Sequence, residues 1–356
     1  MIQQNNRLFR SDTELVEARV GAVPRKSIFG FVLAFVVFVS AHAGNTQTAK
    51  EKVRIALGSI SVNSSIIPIG QEAGLFSKHG LDIEPIYFGG GMNSLAAVTS
   101  NSVQFLAAGS TATISARLGG IDIVMLSVQS NKLDYSVFAA PEVKTFHDLK
   151  GKIVTGTRPG ASADSALRLY LRRSGLEPDK DVIFISVAES QQGRLNALMR
   201  GSVAATVLAP PFNGIAKQAG FRELADLRKI DIEYAGNSIA GMTPYIKSHP
   251  LLVENFLKGY IEALHYFRTQ KEKALPAIMK FLKMTDRARA EEGYDYYAEL
   301  SPVMPYASAA GVRSVLQFLA VRQPKAATAS PEEFYDNSFL KKIDDSGFTK
   351  SFASSR

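Results

Sequence analysis

Thr157-Arg158-Pro159-Gly160-Ala161-Ser162-Ala163-Asp164 stands directly before the helical run SALRLYLRRSG. Gly and Ser at a helix N-terminus aim unpaired N–H groups outward, and the Arg158 guanidinium adds a fork-shaped cation. Together they suit a carboxylate, sulfonate or phosphate. The competing reading leaves Arg158 on the surface and makes Asp164 a complement to the helix dipole. Thr157, Arg158 and Ser162 are the ligand candidates of this loop.

Three other places carry similar chemistry. Ser59, Ser61 and Asn63 follow an apolar run and precede a helix near Ser64; they are donors and acceptors for a polar ligand, or helix caps, or both. In Phe88-Gly89-Gly90-Gly91-Met92-Asn93, the glycines let backbone N–H groups approach an anion, so Gly90, Gly91 and Asn93 are candidates; the alternative is a tight turn into SLAAVTS. Its counterpart, Ala188-Glu189-Ser190-Gln191, carries an acid that would repel an anion. Ser110 and Thr111 open a helix after Gly109, while Pro211 suits a first helical turn and Phe212 is an apolar ligand wall or ordinary core. Tyr135, Tyr234 and Tyr245 are weaker candidates, as ring contacts or as hinge packing.

Catalysis has little to draw on. His79, His147, His249 and His265 are isolated, without HExxH or another metal spacing, and there is neither a GxSxG elbow nor a GxxxxGK[ST] loop. With no Cys, disulfides and thiolate metal sites are excluded. Asp164 and Glu189 are the remaining acid–base pair to consider. The expectation is a binding protein with no cofactor and no metal.

The elements that must position these loops repeat. Lys52–Ser59, GLFSKHGLDIEPIYF and SLAAVTSNSVQFLAAGST are matched by Lys152–Thr157, YLRRSGLEPDKDVIFISV and RLNALMRGSVAATVLAPP. Each series reads strand, helix, strand, helix, strand. Helical connections of this length make neighbouring strands parallel, and ligands settle beyond their carboxyl ends. The fold class is therefore α/β: two lobes, each a mostly parallel sheet flanked by helices, with the ligand cleft between them. A fourth strand is expected over 121–128 and a crossing strand over 135–140, with a return crossing over 232–245. Lobe 1 takes residues 44–132 and 242–322, its last part helices only; lobe 2 takes 133–241; residues 323–356 form a C-terminal tail that thins to a loose end.

The 356 residues are 46% hydrophobic and 21% charged, enough for two ordinary cores. Arg25-Lys26, the run IFGFVLAFVVFV and Ser40-Ala41-His42-Ala43 form the n-region, h-region and cleavage site of an export signal over 1–43, with cleavage after Ala43. The apolar run is shorter than the roughly 20 residues that span a bilayer. The formal charge is +8; five basic and three acidic residues precede Gly44, leaving +6 for the exported part. Lys and Arg are scattered, without the basic aromatic patch that grips nucleic acid.

Gly70–Glu84, Leu149-Lys150-Gly151-Lys152, the Arg158–Asp164 loop and ALMRGSVAATVLAPPFNGIAKQAGFRELADL closely resemble the SsuA/THI5-like, nitrate/sulfonate/taurine-type substrate-binding proteins of bacterial ABC importers. The resemblance covers about Val53 to Tyr297. It implies a periplasmic receptor of the type II binding-protein fold that delivers its ligand to a separate permease and ATPase. The family does not fix the ligand; the loops above give the expectation of a small organic anion, sulfonate or carboxylate, and the receptor is expected to be a monomer. The same architecture would also serve a ligand sensor that signals to a membrane receptor. The related pyrimidine synthases depend on cysteine-rich iron sites, which a chain without Cys lacks.

Overall fold

The computed structural model describes residues 50–159, 161–187 and 190–353. The expected export signal, Gly160 and Glu189 lie outside the described residues. In chain order the strands are β1 (Glu51–Leu57), β2 (Leu81–Tyr87), β3 (Phe105–Gly109), β4 (Ile123–Val128), β5 (Ser136–Ala139), β6 (Ile153–Thr155), β7 (Ile183–Ile185), β8 (Ala205–Leu208), β9 (Arg222–Asp226) and β10 (Asn237–Met242). The helices are α1 (Ile66–Glu72), α2 (Gly91–Thr99), α3 (Ser110–Leu118), α4 (Ser162–Arg173), α5 (Gln191–Met199), α6 (Phe212–Gln218), α7 (Thr243–Ser248), α8 (Pro250–Thr269), α9 (Lys271–Leu282), α10 (Arg287–Leu300), α11 (Ala309–Leu319), α12 (Ser338–Asp345) and α13 (Lys350–Ala353).

Two sheets result, ordered β2-β1-β3-β10-β4 and β7-β6-β8-β5-β9. The repeated strands pair in parallel, β1 with β2 and β3, β6 with β7 and β8. Every residue of β4, β5 and β8 is buried, the signature of strands covered on both faces. Each sheet also admits one antiparallel strand: β10 lies between β3 and β4, and β5 between β8 and β9. These two are the strands that arrive from the other lobe, so each lobe is completed by the chain that crosses into it.

Two sequence expectations change. The return crossing expected over 232–245 contains β10, and the boundary of lobe 2 moves from 241 to 236. The Gly, Ser and Asn of NSIAGM read as loop, yet pairing on both sides and burial of Ile239 and Ala240 override that propensity. Residues 324–353 of the tail are folded, while the last three residues of its expected loose end lie outside the described residues. Phe334, Leu340 and Ile343 are buried, and Tyr335 forms a parallel bridge with Met125 that covers the open edge of β4.

The core of lobe 1 is built on a run of stacked rings, Phe76 on Phe256 with centroids 5.6 Å apart and Phe256 on Phe105 at 4.4 Å. Close approach of α1 and α8 around Phe76 needs glycine: a Cβ at Gly70 or Gly259 would come within 2.7 Å or 2.6 Å of that ring. No helix among the described residues is long and apolar enough to cross a membrane.

Candidate functional site

Between the sheets lies a cleft of about 500 Å³. It is lined by strand ends and the helix starts that follow them: Gly90 and Gly91 at α2, Gly109 before α3, Ala161 and Ser162 at α4, Ser190 and Gln191 at α5. Parallel α/β topology forces this convergence, since each strand hands over to its helix at the carboxyl edge. None of α2, α3 and α4 carries a side-chain cap, so their dipoles begin at the cleft edge, although the Ser110 N–H of α3 donates to the Gly236 carbonyl at 2.8 Å and α4 carries Asp164 in its first turn. At α5, Ser190 Oγ accepts from the Gly193 N–H at 3.1 Å. The two lobes approach closely where a Cβ at Gly109 would collide with the Ser162 hydroxyl.

The charged groups at the floor are buried. Arg194, 2% exposed, borders the cleft from α5 while its Nε donates to the Val207 carbonyl at 3.3 Å. Asp134, 8% exposed, borders it from the β4–β5 crossing and accepts from Asn63 Nδ2 at 3.3 Å. Burial pushes the Asp134 carboxyl up to about 6, against hydrogen bonds from its own backbone, Tyr297 and Asn63 that pull the other way. Tyr135 stands beside both, its phenol raised first by burial and then by Asp134, and lowered by Arg194. Thr157 Oγ1 is buried at the wall without a hydrogen-bond partner, a group waiting for an acceptor or donor that the protein does not supply. Ile60, Tyr87, Met92, Phe212 and Ile215 add apolar surface.

A third wall comes from the 282–289 segment, with Lys283, Met284, Asp286 and Arg289 against the cleft. It leads into α10, which touches lobe 2: Arg289 hydrogen-bonds Gln218, and the Arg228 guanidinium lies over the Tyr296 ring at 3.6 Å. Sequence reasoning assigned these helices to packing on lobe 1 and missed the wall, which no local motif announces.

Of the residues singled out by sequence, Ser59, Ser61, Gly90, Gly91, Thr157, Ser162, Pro211 and Phe212 line the cleft, as does Tyr135. Five do not. Asn63 is buried behind the wall, where it holds Asp134. Ser110 is fully buried and donates to the Ala235 carbonyl, and Thr111 Oγ1 lies 2.9 Å from the Tyr234 hydroxyl, so both tie α3 to the return crossing. Asn93 turns back to donate to the Phe88 carbonyl at 3.0 Å, pinning the glycine loop. Arg158 is exposed, and its Nη2 lies 3.5 Å from Asn93 Oδ1 across the two lobes. Tyr245 stacks on His249 instead, with centroids 4.3 Å apart. Asp164 is buried and paired with Arg168 at 2.8 Å. Among the described residues no group of three or more His, Cys, Asp or Glu could hold a metal ion.

Arg194 and Asp134 were the omissions. Arg194 carried a signal: SQQGR puts a cation about one turn from a helix start, where the dipole disfavours it, and such a local violation points to a function. Asp134 carried none, because its burial is decided by α10, far away in sequence.

The chain matches the "NMT1/THI5 like" family over residues 61–274. A candidate aliphatic sulfonates-binding protein of Escherichia coli (strain K12) is 26% identical over 262 residues, 72% of this chain and 79% of that protein. A candidate binding protein of Brucella abortus (strain 2308) is 30% identical over 234 residues, 64% of this chain and 70% of that one. The solved structure of the periplasmic aliphatic sulphonate binding protein SsuA from Escherichia coli superposes with a TM-score of 0.66 at 20% identity, covering 80% of this chain and 92% of that one.

Proposed function

The chain belongs to the NMT1/THI5-like family, and from that premise we propose that it is the solute-binding component of an ABC importer, capturing a small organic anion between its lobes. The exported form, cleaved after Ala43, works as a free periplasmic monomer and hands its ligand to a separate permease and ATPase. Sulfonates and carboxylates are the chemical class; the names of the Escherichia coli relatives favour sulfonates.

One observation carries the reading: the uncapped starts of α2, α3 and α4 converge with the buried Arg194 and the partnerless Thr157 hydroxyl on a single cleft. Oriented N–H groups in a partly dry site hold an anion without reacting with it. The relatives are likewise named for binding.

Thermal unfolding of residues 44–356 against ethanesulfonate, benzenesulfonate, propionate, benzoate and nitrate tests this. An anion present at a hundred times its Kd should add about 2.7 kcal/mol to folded-state stability. A ligand-stripped, folded sample that no anion stabilises, or that converts one into product, overturns the proposal.

A further inference from the structure

We propose that Asp134 takes part in ligand capture as a neutral carboxylic acid, so that binding of an anion in the cleft draws one proton onto the protein. The inference rests on the anion reading above and adds to it a proton and the residue that holds it.

The geometry is unusual for a site that welcomes anions. A carboxyl group lies in the lining beside three uncapped helix starts and Arg194, and it is nine-tenths buried. The groups that face it are uncharged donors or phenols: Asn63 from the segment before α1, Tyr296 and Tyr297 from α10, Tyr135 next to it in the crossing, and Tyr234 from the return crossing. Lys, Arg and His are absent from the interactions that set its protonation, and Arg194 acts at one remove, on Tyr135.

A carboxylate held in this way has two ways to live with a bound anion. Two like charges sharing one desolvated site cannot both stay ionised, so either the anion is excluded or the carboxyl is protonated. Protonation removes a repelling charge from the cleft lining, and burial has already moved the carboxyl toward it, up to about 6. The ligand's charge completes the shift.

The sign follows. If the bound state holds the proton throughout, affinity is flat at acid pH and falls about tenfold per unit above the free value, roughly ninetyfold between about pH 5 and pH 8. No histidine lines the cleft among the described residues; the second carboxyl of the lining, Asp286 on the 282–289 wall, is distinguished from Asp134 by the Asn variant.

The test is calorimetry with the anions named above, in two buffers of different ionisation enthalpy, neither of them a sulfonate, from about pH 5.5 to 8. The expected result is uptake of close to one proton per ligand near pH 7, with affinity declining as pH rises. Asp134→Asn keeps the shape and a donor; it should bind with a flat pH profile and take up no proton. Should the variant not fold, the buffer comparison on the native protein stands alone. Proton release, pH-independent binding by the native protein, or a slope that survives in the folded Asn variant overturns the proposal while leaving anion binding intact. Failure of every anion to bind even at the acid end sinks the parent reading and this one with it.

Discussion

Arg194 and Arg158 are two arginines of the same lobe that the sequence could not rank and the structure does. Arg194→Met removes a buried guanidinium and fills its slot with a side chain of similar length. A charge-assisted hydrogen bond to an anion is worth about 1.5–3 kcal/mol, so Kd for a bound sulfonate or carboxylate should rise roughly 13- to 160-fold. Arg158→Ala removes an exposed cation outside the cleft lining, where such pairs contribute about 1 kcal/mol at most, or roughly fivefold. Salt separates the two further, since the Debye length is about 8 Å at physiological ionic strength and a buried charge is poorly screened. Titration calorimetry at low and high salt, with urea unfolding of each free variant, reads all of this; Arg194→Met also leaves the Val207 carbonyl without the Arg194 donor, so the free variant should unfold at lower urea than native. Arg194→Met binding within twofold of native while Arg158→Ala loses more than tenfold would refute the placement of the ligand charge at the cleft floor.

Three further outcomes are expected. Gly156→Ala puts a Cβ 2.7 Å from the Asp164 Cα, against backbone that cannot swing aside; urea unfolding should show a loss of about 1–3 kcal/mol, and the displaced start of α4 should weaken ligand binding as well. Because Asp134 is raised in the folded state from 3.8 to about 6, it favours the folded protein below about 4 and loses that contribution, about 3 kcal/mol, as pH climbs to about 6. Urea midpoints should therefore show Asp134→Asn close to native at pH 4 and more stable at pH 8; equal midpoints at pH 8 would contradict the assignment. Ending the chain before Pro331 strips away the buried Phe334, Leu340 and Ile343, each worth about 1.5–3 kcal/mol, and thermal unfolding should show lobe 1 severely destabilised.

The repeated order of strand, helix and strand was legible because each unit carries its own period and its own stop, from Lys52 to Leu57 and again from Lys152 to Thr155. Legible too were the loops after those strands, since a parallel strand must hand its chain to a helix at the cleft edge. What failed was whatever depends on a partner distant in sequence. Asn63, Ser110 and Thr111 have the residue types of ligand donors, but Asp134, the Ala235 carbonyl and Tyr234 claim their hydrogen bonds, and those partners lie 71 to 125 positions away. β10 was hidden for the same reason: NSIAGM is poor strand sequence and becomes a strand because β3 and β4 leave a slot for it. The composition of the tail said nothing of the edge it covers at Met125.

Two polar contacts between the α4 start and lobe 1 are long, unlike the Arg289–Gln218 bond farther along the cleft. Ser162 Oγ lies 3.4 Å from Thr111 Oγ1, and Arg158 Nη2 lies 3.5 Å from Asn93 Oδ1. Bonds at that limit contribute little, so they record proximity more than they enforce it. On the reading proposed above, the missing attraction is the ligand's. An anion reaching both the start of α4 and the start of α2 gains N–H donors from two sheets at once, and it can favour the closed arrangement only by the affinity that the open one lacks. A ligand touching the Thr157 and Arg194 side alone would bind without drawing lobe 1 toward it. Discrimination among anions should accordingly depend on length and shape, the distance from the Arg194 floor to the glycines of α2, as much as on charge, which every candidate of the class shares.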